Sequence, residues 1–407
     1  MINFISLILL LTISINTFAQ ASNKPFTILH YNIKELDSQK VQSTLNENSP
    51  LNFVKKVINK VPFDILSLNE IQYDLPNVPN PKFQSKGTNL KRIKKILNLT
   101  SFQTSFYPAN TGLNAKKKED GTYASSPTDS EARKLADPVN FGIFPAQYST
   151  GAIFKFQKIG EKIINKLTWK TFNPKRDLST FKDGNGNPLP KSMPLFDKNF
   201  SDITLLIDNK IVHLILLHTV PAFHFGNPAT PNYIRNADQL RFLEWYTTGA
   251  TDTDTTHLKS IRTLKSNERF IIVGDLNTDI TSDNPGANVL RNLIKKTNLW
   301  TKFPKFTNES SGFAPPSLQL LLDYILVSKG IEVIAGGTIA SSPNRLELGC
   351  TKPSSANINQ LPEKVIVSYQ GKNGTKCEVS VNRTYYEAKK ASDHFPIWAS
   401  LKIIEME

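Results

Sequence analysis

Apolar residues recur along this chain with two periods, and the two alternate from end to end. Short runs bounded by turn residues predict strands at 26–32 (FTILHYN), 64–70 (DILSLNE), 151–156, 203–207, 211–217, 270–277 (FIIVGDLN), 318–327 (LQLLLDYILV) and 395–403. Four apolar residues in a row at 270–273 predict a strand buried on both faces, ended by Gly274. Between the strands the spacing turns helical. Ser49 followed by Pro50 marks a helix start, and Leu51, Val54, Val57, Ile58 and Val61 continue it. Residues 89–99 predict a basic amphipathic helix whose Lys91, Arg92, Lys94 and Lys95 read as a solvated face. Asn236 with Gln239 predicts a capping box ahead of Leu240, Leu243 and Trp245, and 287–297 predicts a further helix. Residues 203–207 and 211–217 pair as a hairpin across Asp208, Asn209 and Lys210. Residues 107–147 read as a long loop, 173–194 as an irregular stretch with a turn at DGNGNP, and 329–390 as an elaboration. With no internal repeat or low-complexity linker, the alternation predicts one large α/β domain over 20–407.

Polar residues cluster where the predicted strands end: Asn32, Glu70, His218, Asp275, Asn277, Asp393 and His394. Each alone is more often a turn residue than a ligand, and GDxN commonly serves only the backbone. Taken together they make a chemical set. Asp275 and Asn277 project the same way in an extended segment, so a carboxylate that orients water lies beside an amide donor. Glu70 and Asp393, with Asn32 in support, supply the oxygen ligands that hard divalent cations prefer. His394 is the natural base for an activated water. Asp323 falls in the middle of an apolar run, where a carboxylate costs several kcal/mol without a partner. An imidazole fits that need, and Asp323 would fix the tautomer of His394. His218 and Asn277 remain as donors to phosphoryl oxygens.

Composition adds charge and compartment. The 407 residues carry a net charge of +14, which favours anionic partners such as nucleic acid, phospholipid headgroups or polyphosphates. The apolar run at 4–15 is too short to span a bilayer, and small residues follow at Thr17 and Ala19. Residues 1–19 therefore read as a removable export signal, which places the protein outside the cell or in a periplasm. No later stretch is apolar enough to cross a membrane. Cys350 and Cys377 are the only cysteines, and one disulfide between them would stabilise by about 3–4 kcal/mol.

The order of these motifs resembles the endonuclease/exonuclease/phosphatase superfamily, which includes pancreatic-type deoxyribonuclease, apurinic endonucleases, neutral sphingomyelinases and inositol-polyphosphate 5-phosphatases. The resemblance rests on YNI at Asn32, LSLNE at Glu70, LHTVP at His218, GDLN at Asp275 and Asn277, LDYILVS at Asp323, and SDH at Asp393 and His394. It spans 26–403, with one departure at Asn69, where the family usually has Gln. PANTG at 108–112 and FGIFPAQYST at 141–150 further resemble secreted bacterial members. The fold it implies is a four-layer α/β/β/α sandwich of two mixed β-sheets flanked by helices. It implies Mg2+ or Mn2+ at Glu70 and Asp393 with Asn32 close by, and Ca2+ as a structural alternative. It also implies Asp275 orienting the attacking water, His218 on phosphate, and an Asp323–His394 pair in base catalysis. Asn110, within PANTG, and Arg235 join the set as substrate-binding candidates. Together with the charge, this points to a monomeric, secreted hydrolase, a nuclease or phosphodiesterase acting on DNA or RNA. The alternatives are a sphingomyelinase-like phospholipase C, a phosphomonoesterase, and an inactive binding protein of the same fold.

Overall fold

Burial sorts alternate side chains of the strands into separate cores. In the strand at Arg269–Asp275, Ile271 and Val273 join one buried cluster and Phe270 and Ile272 another, as expected of a strand covered on both faces. The computed structural model describes residues 24–36, 49–72, 87–124, 130–222, 229–299, 305–310, 312–350 and 363–406. The expected export signal at 1–19 lies outside them.

From the amino end the chain runs β1 (Phe26–Leu36), α1 (Pro50–Ile58), β2 (Ile65–Ile71), α2 (Thr88–Ile96) and β3 (Gln103–Tyr107). A short α3 (Ser130–Leu135) precedes β4 (Ser149–Phe154), β5 (Gln157–Ile164) and α4 (Trp169–Phe172). Next come β6 (Phe200–Ile207), β7 (Lys210–His218), α5 (Pro231–Thr248), β8 (Arg269–Asp275) and α6 (Pro285–Lys296). Short strands follow as β9 (Asn298–Leu299), β10 (Asn308–Glu309), β11 (Gln319–Leu320) and β12 (Asp323–Val327). The last part holds β13 (Ile331–Thr338), β14 (Leu346–Gly349), β15 (Lys364–Gln370), β16 (Lys376–Asn382), α7 (Arg383–Ala391) and β17 (Ile397–Ile403).

Two six-stranded sheets result, ordered β13-β17-β1-β2-β4-β3 and β5-β6-β7-β8-β12-β9. Both are mixed: β1 runs parallel to β2 and β7 to β8, and their remaining pairings are antiparallel. Their inner faces share Ile28, Ile65, Phe154, Leu214, Ile325 and Leu401. On the outside of the first sheet, Leu29 and Leu66 pack with Val54 of α1, Ile93 of α2 and Ala388 of α7. On the outside of the second, Ile215 and Ile272 pack with Leu240 of α5 and Leu290 of α6. The expected four-layer α/β/β/α sandwich is the observed one.

Three local expectations are corrected. The helix assigned to a capping box at Asn236 starts earlier: Thr230 is its cap and Pro231 its first residue, so Asn236 and Gln239 lie inside α5 and are buried. The strand expected across 318–327 is broken, because Leu322 N and Asp323 N both donate to Thr307 Oγ1 instead of continuing one ladder. Asp323 therefore opens β12 rather than sitting mid-strand. The loop at 107–147 contains α3. The elaboration at 329–390 contributes edge strand β13 and a separate sheet, β14-β16-β15, stapled by the Cys350–Cys377 disulfide.

Candidate active site

Strand direction brings the polar residues together. Parallel strands β1, β2, β7 and β8 end at the same edge of the sandwich where antiparallel β12 and β17 begin. In the second sheet His218, Asp275 and Asp323 stand side by side on three neighbouring strands. In the first, Asn32 pairs with Asn69. Gly274 permits this closeness, since a Cβ there would lie 1.7 Å from Leu217 O. The two sheets are tied at this edge by polar bonds. Asn32 Nδ2 donates to Asp275 Oδ2 (3.0 Å) and to Glu70 Oε1 (3.1 Å), while Asp275 N donates to Asn69 Oδ1 (2.9 Å). Asn69 thus holds Asp275 across the sandwich.

Asp323 is partnered as its position requires, by two imidazoles. His394 Nδ1 lies 2.8 Å from Asp323 Oδ2 and His30 Nε2 lies 3.1 Å from Oδ1. Nδ1–H donation to the carboxylate turns His394 Nε2 toward the cleft. Burial opposes ionisation of Asp323, yet His394 and His30 hold its carboxyl well below the usual range. Burial likewise opposes charge on His394, but Asp323 and then Asp275 push it up to about 10. Burial, with Asp323 adding to it, pushes Asp275 up to about 6 although His394 pulls the other way. His394 Nε2 stands 3.7 Å and His218 Nε2 3.6 Å from Asp275 Oδ2, beyond a direct hydrogen bond but suited to a bridging oxygen. Burial and then Lys198 keep His218 far below the usual histidine range, so it is neutral, and its Nδ1 has no partner.

Beside this relay sits a group of carboxylates. Glu70 Oε2 accepts from Glu35 N (3.0 Å), and burial, then Glu35 and Asp393, push Glu70 up to about 7. The Asp393 carboxylate meets the half-exposed Lys34 at 3.0 Å. Oxygen donors whose mutual repulsion raises a pKa fit a hard divalent cation, and Glu70 and Asp393 with the Asn32 amide are the residues that would hold it. Ligand atoms of Asp275, Asp323 and His394 also lie within 4.8 Å of one another. The Asp323 oxygens and His394 Nδ1, however, already bond to each other and to His30, so that trio is a hydrogen-bonded carboxylate–imidazole network with its ligand atoms engaged. Six of the eleven non-glycine residues with positive φ among the described residues flank this edge: Lys34, Glu35, Glu70, Ala146, Tyr148 and Asn277. Strain of about 1–3 kcal/mol each, gathered at one place, is the pattern common at functional sites.

A cleft of about 570 Å³ opens over this floor, where Glu70, His218, Asp275, Asn277 and His394 line it. Asn277 Nδ2 donates to Thr219 O (3.0 Å) and its N–H to Asp275 Oδ1 (2.8 Å), which fixes the turn. Arg235 reaches the cleft wall, but its guanidinium donates to Leu195 O and Pro194 O, so it shapes the wall. Asn110 is not in the wall: its amide donates to Asn165 O and Phe196 O. The sequence reading missed Lys198, Tyr148, Asn140 and Phe141 in the walls, and Glu35 and His30 beneath. Lys198 carried no motif, Phe141 and Tyr148 lay within FGIFPAQYST with no role assigned to either, and His30, inside a strand, had the signature of an ordinary core residue.

Residues 29–394 match the sequence profile of the Endonuclease/Exonuclease/phosphatase family. No curated protein matches the chain. Among solved structures it is similar to an endonuclease/exonuclease/phosphatase from Beutenbergia cavernae, with TM-score 0.49 and 12% identity over 93% of this chain and 72% of the other. It is also similar to sphingomyelinase C from Streptomyces griseocarneus, with TM-score 0.45 and 12% identity over 93% and 99%. The human Nocturnin catalytic domain gives TM-score 0.43 and 13% identity over 93% and 94%. On the match over most of its length, this chain belongs to the Endonuclease/Exonuclease/phosphatase family.

Proposed function

We propose that the chain hydrolyses phosphodiester bonds of nucleic acid by in-line attack of an activated water, assisted by Mg2+ or Mn2+ at Glu70 and Asp393. When bound, the cation supplies a positive centre for the phosphoryl oxygens. The observation that carries this reading is the approach to Asp275 Oδ2 by Asn32 from one sheet and by His218 and His394 from around the cleft. An attacking water fits the gap between Asp275 and His394. Asp275 orients it, and the His394–Asp323 pair takes its proton in the fraction of molecules whose His394 Nε2 is unprotonated, so the rate should climb as pH rises toward about 10. His218 and Asn277 face the phosphoryl group as donors. Lys198, almost fully buried and held by Asp197 (2.8 Å) and Thr219 O (3.1 Å), brings a fixed positive charge beside His218.

Nucleic acid is favoured as substrate by the net charge of +14 and by Lys182 and Lys198 in the cleft wall. Export through a signal at 1–19 and a monomeric state complete the proposal. Among the described residues no helix is long and apolar enough to cross a membrane. The test is incubation of purified protein with supercoiled plasmid, single-stranded DNA and RNA, with Mg2+ or Mn2+ and with chelator. Cation-dependent cleavage is the expected result, and intact substrates under every condition would remove the nuclease assignment.

A further inference from the structure

One wall of the cleft takes no part in this chemistry, yet it is heavily braced. The arch at 137–147 bends around Asp137, whose Oδ1 accepts from Val139 N (2.9 Å) and Asn140 N (3.1 Å), and whose Oδ2 accepts from Asn114 N (2.9 Å). Gly112 N donates to Asn140 O (2.9 Å) and Ala146 N to Thr111 O (2.8 Å). Ile143 N donates to Gln147 Oε1 (2.8 Å), and Gln147 Nε2 donates to Glu35 Oε1 (2.8 Å), joining the arch to the carboxylate group. A Cβ on Gly142 would lie 2.6 Å from Gly112 N, so the two backbones touch.

This rigid arch presents two side chains that the fold itself does not use. Phe141 is 47% exposed at the cleft, a large aromatic left in water on a segment with little freedom to move. Asn140 beside it is 6% exposed and lines the same cleft, and its Oδ1 is sealed from solvent with no hydrogen-bond partner. Buried acceptors are rarely left unpaired unless water, an ion or a ligand completes them, and this one stands at the cleft. A flat apolar face next to an unfilled acceptor, both beside a phosphate-handling floor, matches a nucleobase: a ring to stack and an N–H on its edge.

We propose that Asn140 and Phe141 form a base-recognition element, in which Phe141 stacks on the nucleobase next to the scissile phosphate and the Asn140 side chain turns its amide out of its sealed position so that Oδ1 accepts an N–H from the base edge. The substrate is then a single-stranded or unpaired nucleotide whose base turns into the cleft. This rests on the phosphodiesterase reading above and narrows its substrate.

The experiment compares kcat/KM of the full chain, with Mn2+, on thymidine 5′-(4-nitrophenyl phosphate) and on methyl 4-nitrophenyl phosphate, which share a leaving group and differ by the nucleoside. Wild type is expected to prefer the nucleoside ester by roughly 5- to 150-fold, the usual worth of one base stack. Phe141→Ala should collapse that ratio toward one. Asn140→Ala should abolish discrimination between the thymidine ester and its N3-methyl analogue, which lacks the edge N–H. Equal wild-type rates on the two esters, or a ratio unmoved in Phe141→Ala, would overturn the base-recognition proposal and leave the phosphodiesterase reading standing. Hydrolysis of neither ester would overturn both.

Discussion

Asp275 concentrates the account at the scale of single residues. Its carboxylate is held by Asn32 from the opposite sheet and its N–H by Asn69, and both imidazoles of the cleft face it. Removing the relay partner should therefore be costly to turnover, and the loss of one of the two imidazoles on Asp323 should lower stability while His30 keeps the chain folded. His394→Ala is expected to lower kcat by about 10²–10⁴-fold with an unchanged circular dichroism spectrum, and near-wild-type turnover would exclude His394 from proton transfer. Glu70 makes a prediction in pH. Its carboxyl, raised to about 7 in the folded chain, still holds a proton where the unfolded chain has lost it. In chelator, this group makes stability decline as pH rises from about 4.3 toward 7. A cation must displace that proton, so its affinity should weaken below about pH 7. Melting curves with and without Mn2+ at pH 5.5 and 7.5 check this, and an equal rise in Tm at both pH values would count against Glu70 as a ligand.

At the scale of elements, the site depends on two sheets closing on each other. Gly274 lets β8 lie against β7, and a Cβ there would collide with Leu217 O at 1.7 Å. Gly274→Ala is expected to destabilise the fold by several kcal/mol, because backbone rather than a flexible side chain must yield. A urea midpoint equal to wild type would contradict that packing. Most elements were legible in the sequence because their periods were strong: the run at 270–273, the helix after Ser49 and Pro50, and the hairpin turning at Asp208 and Asn209, both of which have positive φ. Where the reading failed, a tertiary bond had overridden a local signal. Thr307 bends the chain ahead of Asp323, and Asn236 serves Thr219, Val220 and Leu276 rather than capping its helix. The floor of the cleft was legible because its polar residues stand at or next to strand termini, Glu70, His218 and Asp275 where strands finish and Asp323 and His394 where strands start. The walls were not, since Lys198, Asn140 and Phe141 come from irregular segments whose placement only the folded chain reveals.

At the scale of the whole molecule, the sandwich carries a three-stranded sheet closed by the Cys350–Cys377 disulfide, which packs through Val379 and Val381 into the outer core of the first sheet. None of the three-stranded sheet's residues lines the cleft. Replacing both cysteines with serine should therefore lower unfolding stability by about 3–4 kcal/mol while kcat/KM stays at the wild-type value; a loss of kcat/KM in a folded double variant would show coupling between sheet and cleft. The central claim is that six separate strand ends form one cation-assisted phosphodiesterase site. Its most direct test is the initial rate of bis(4-nitrophenyl) phosphate hydrolysis by wild type and Glu70→Gln across a Mn2+ titration begun in chelator. The account predicts no hydrolysis in chelator, a rate that saturates with Mn2+, and a titration shifted to higher Mn2+ in the variant. Hydrolysis that persists in chelator, or superimposable titrations for the two proteins, would contradict it.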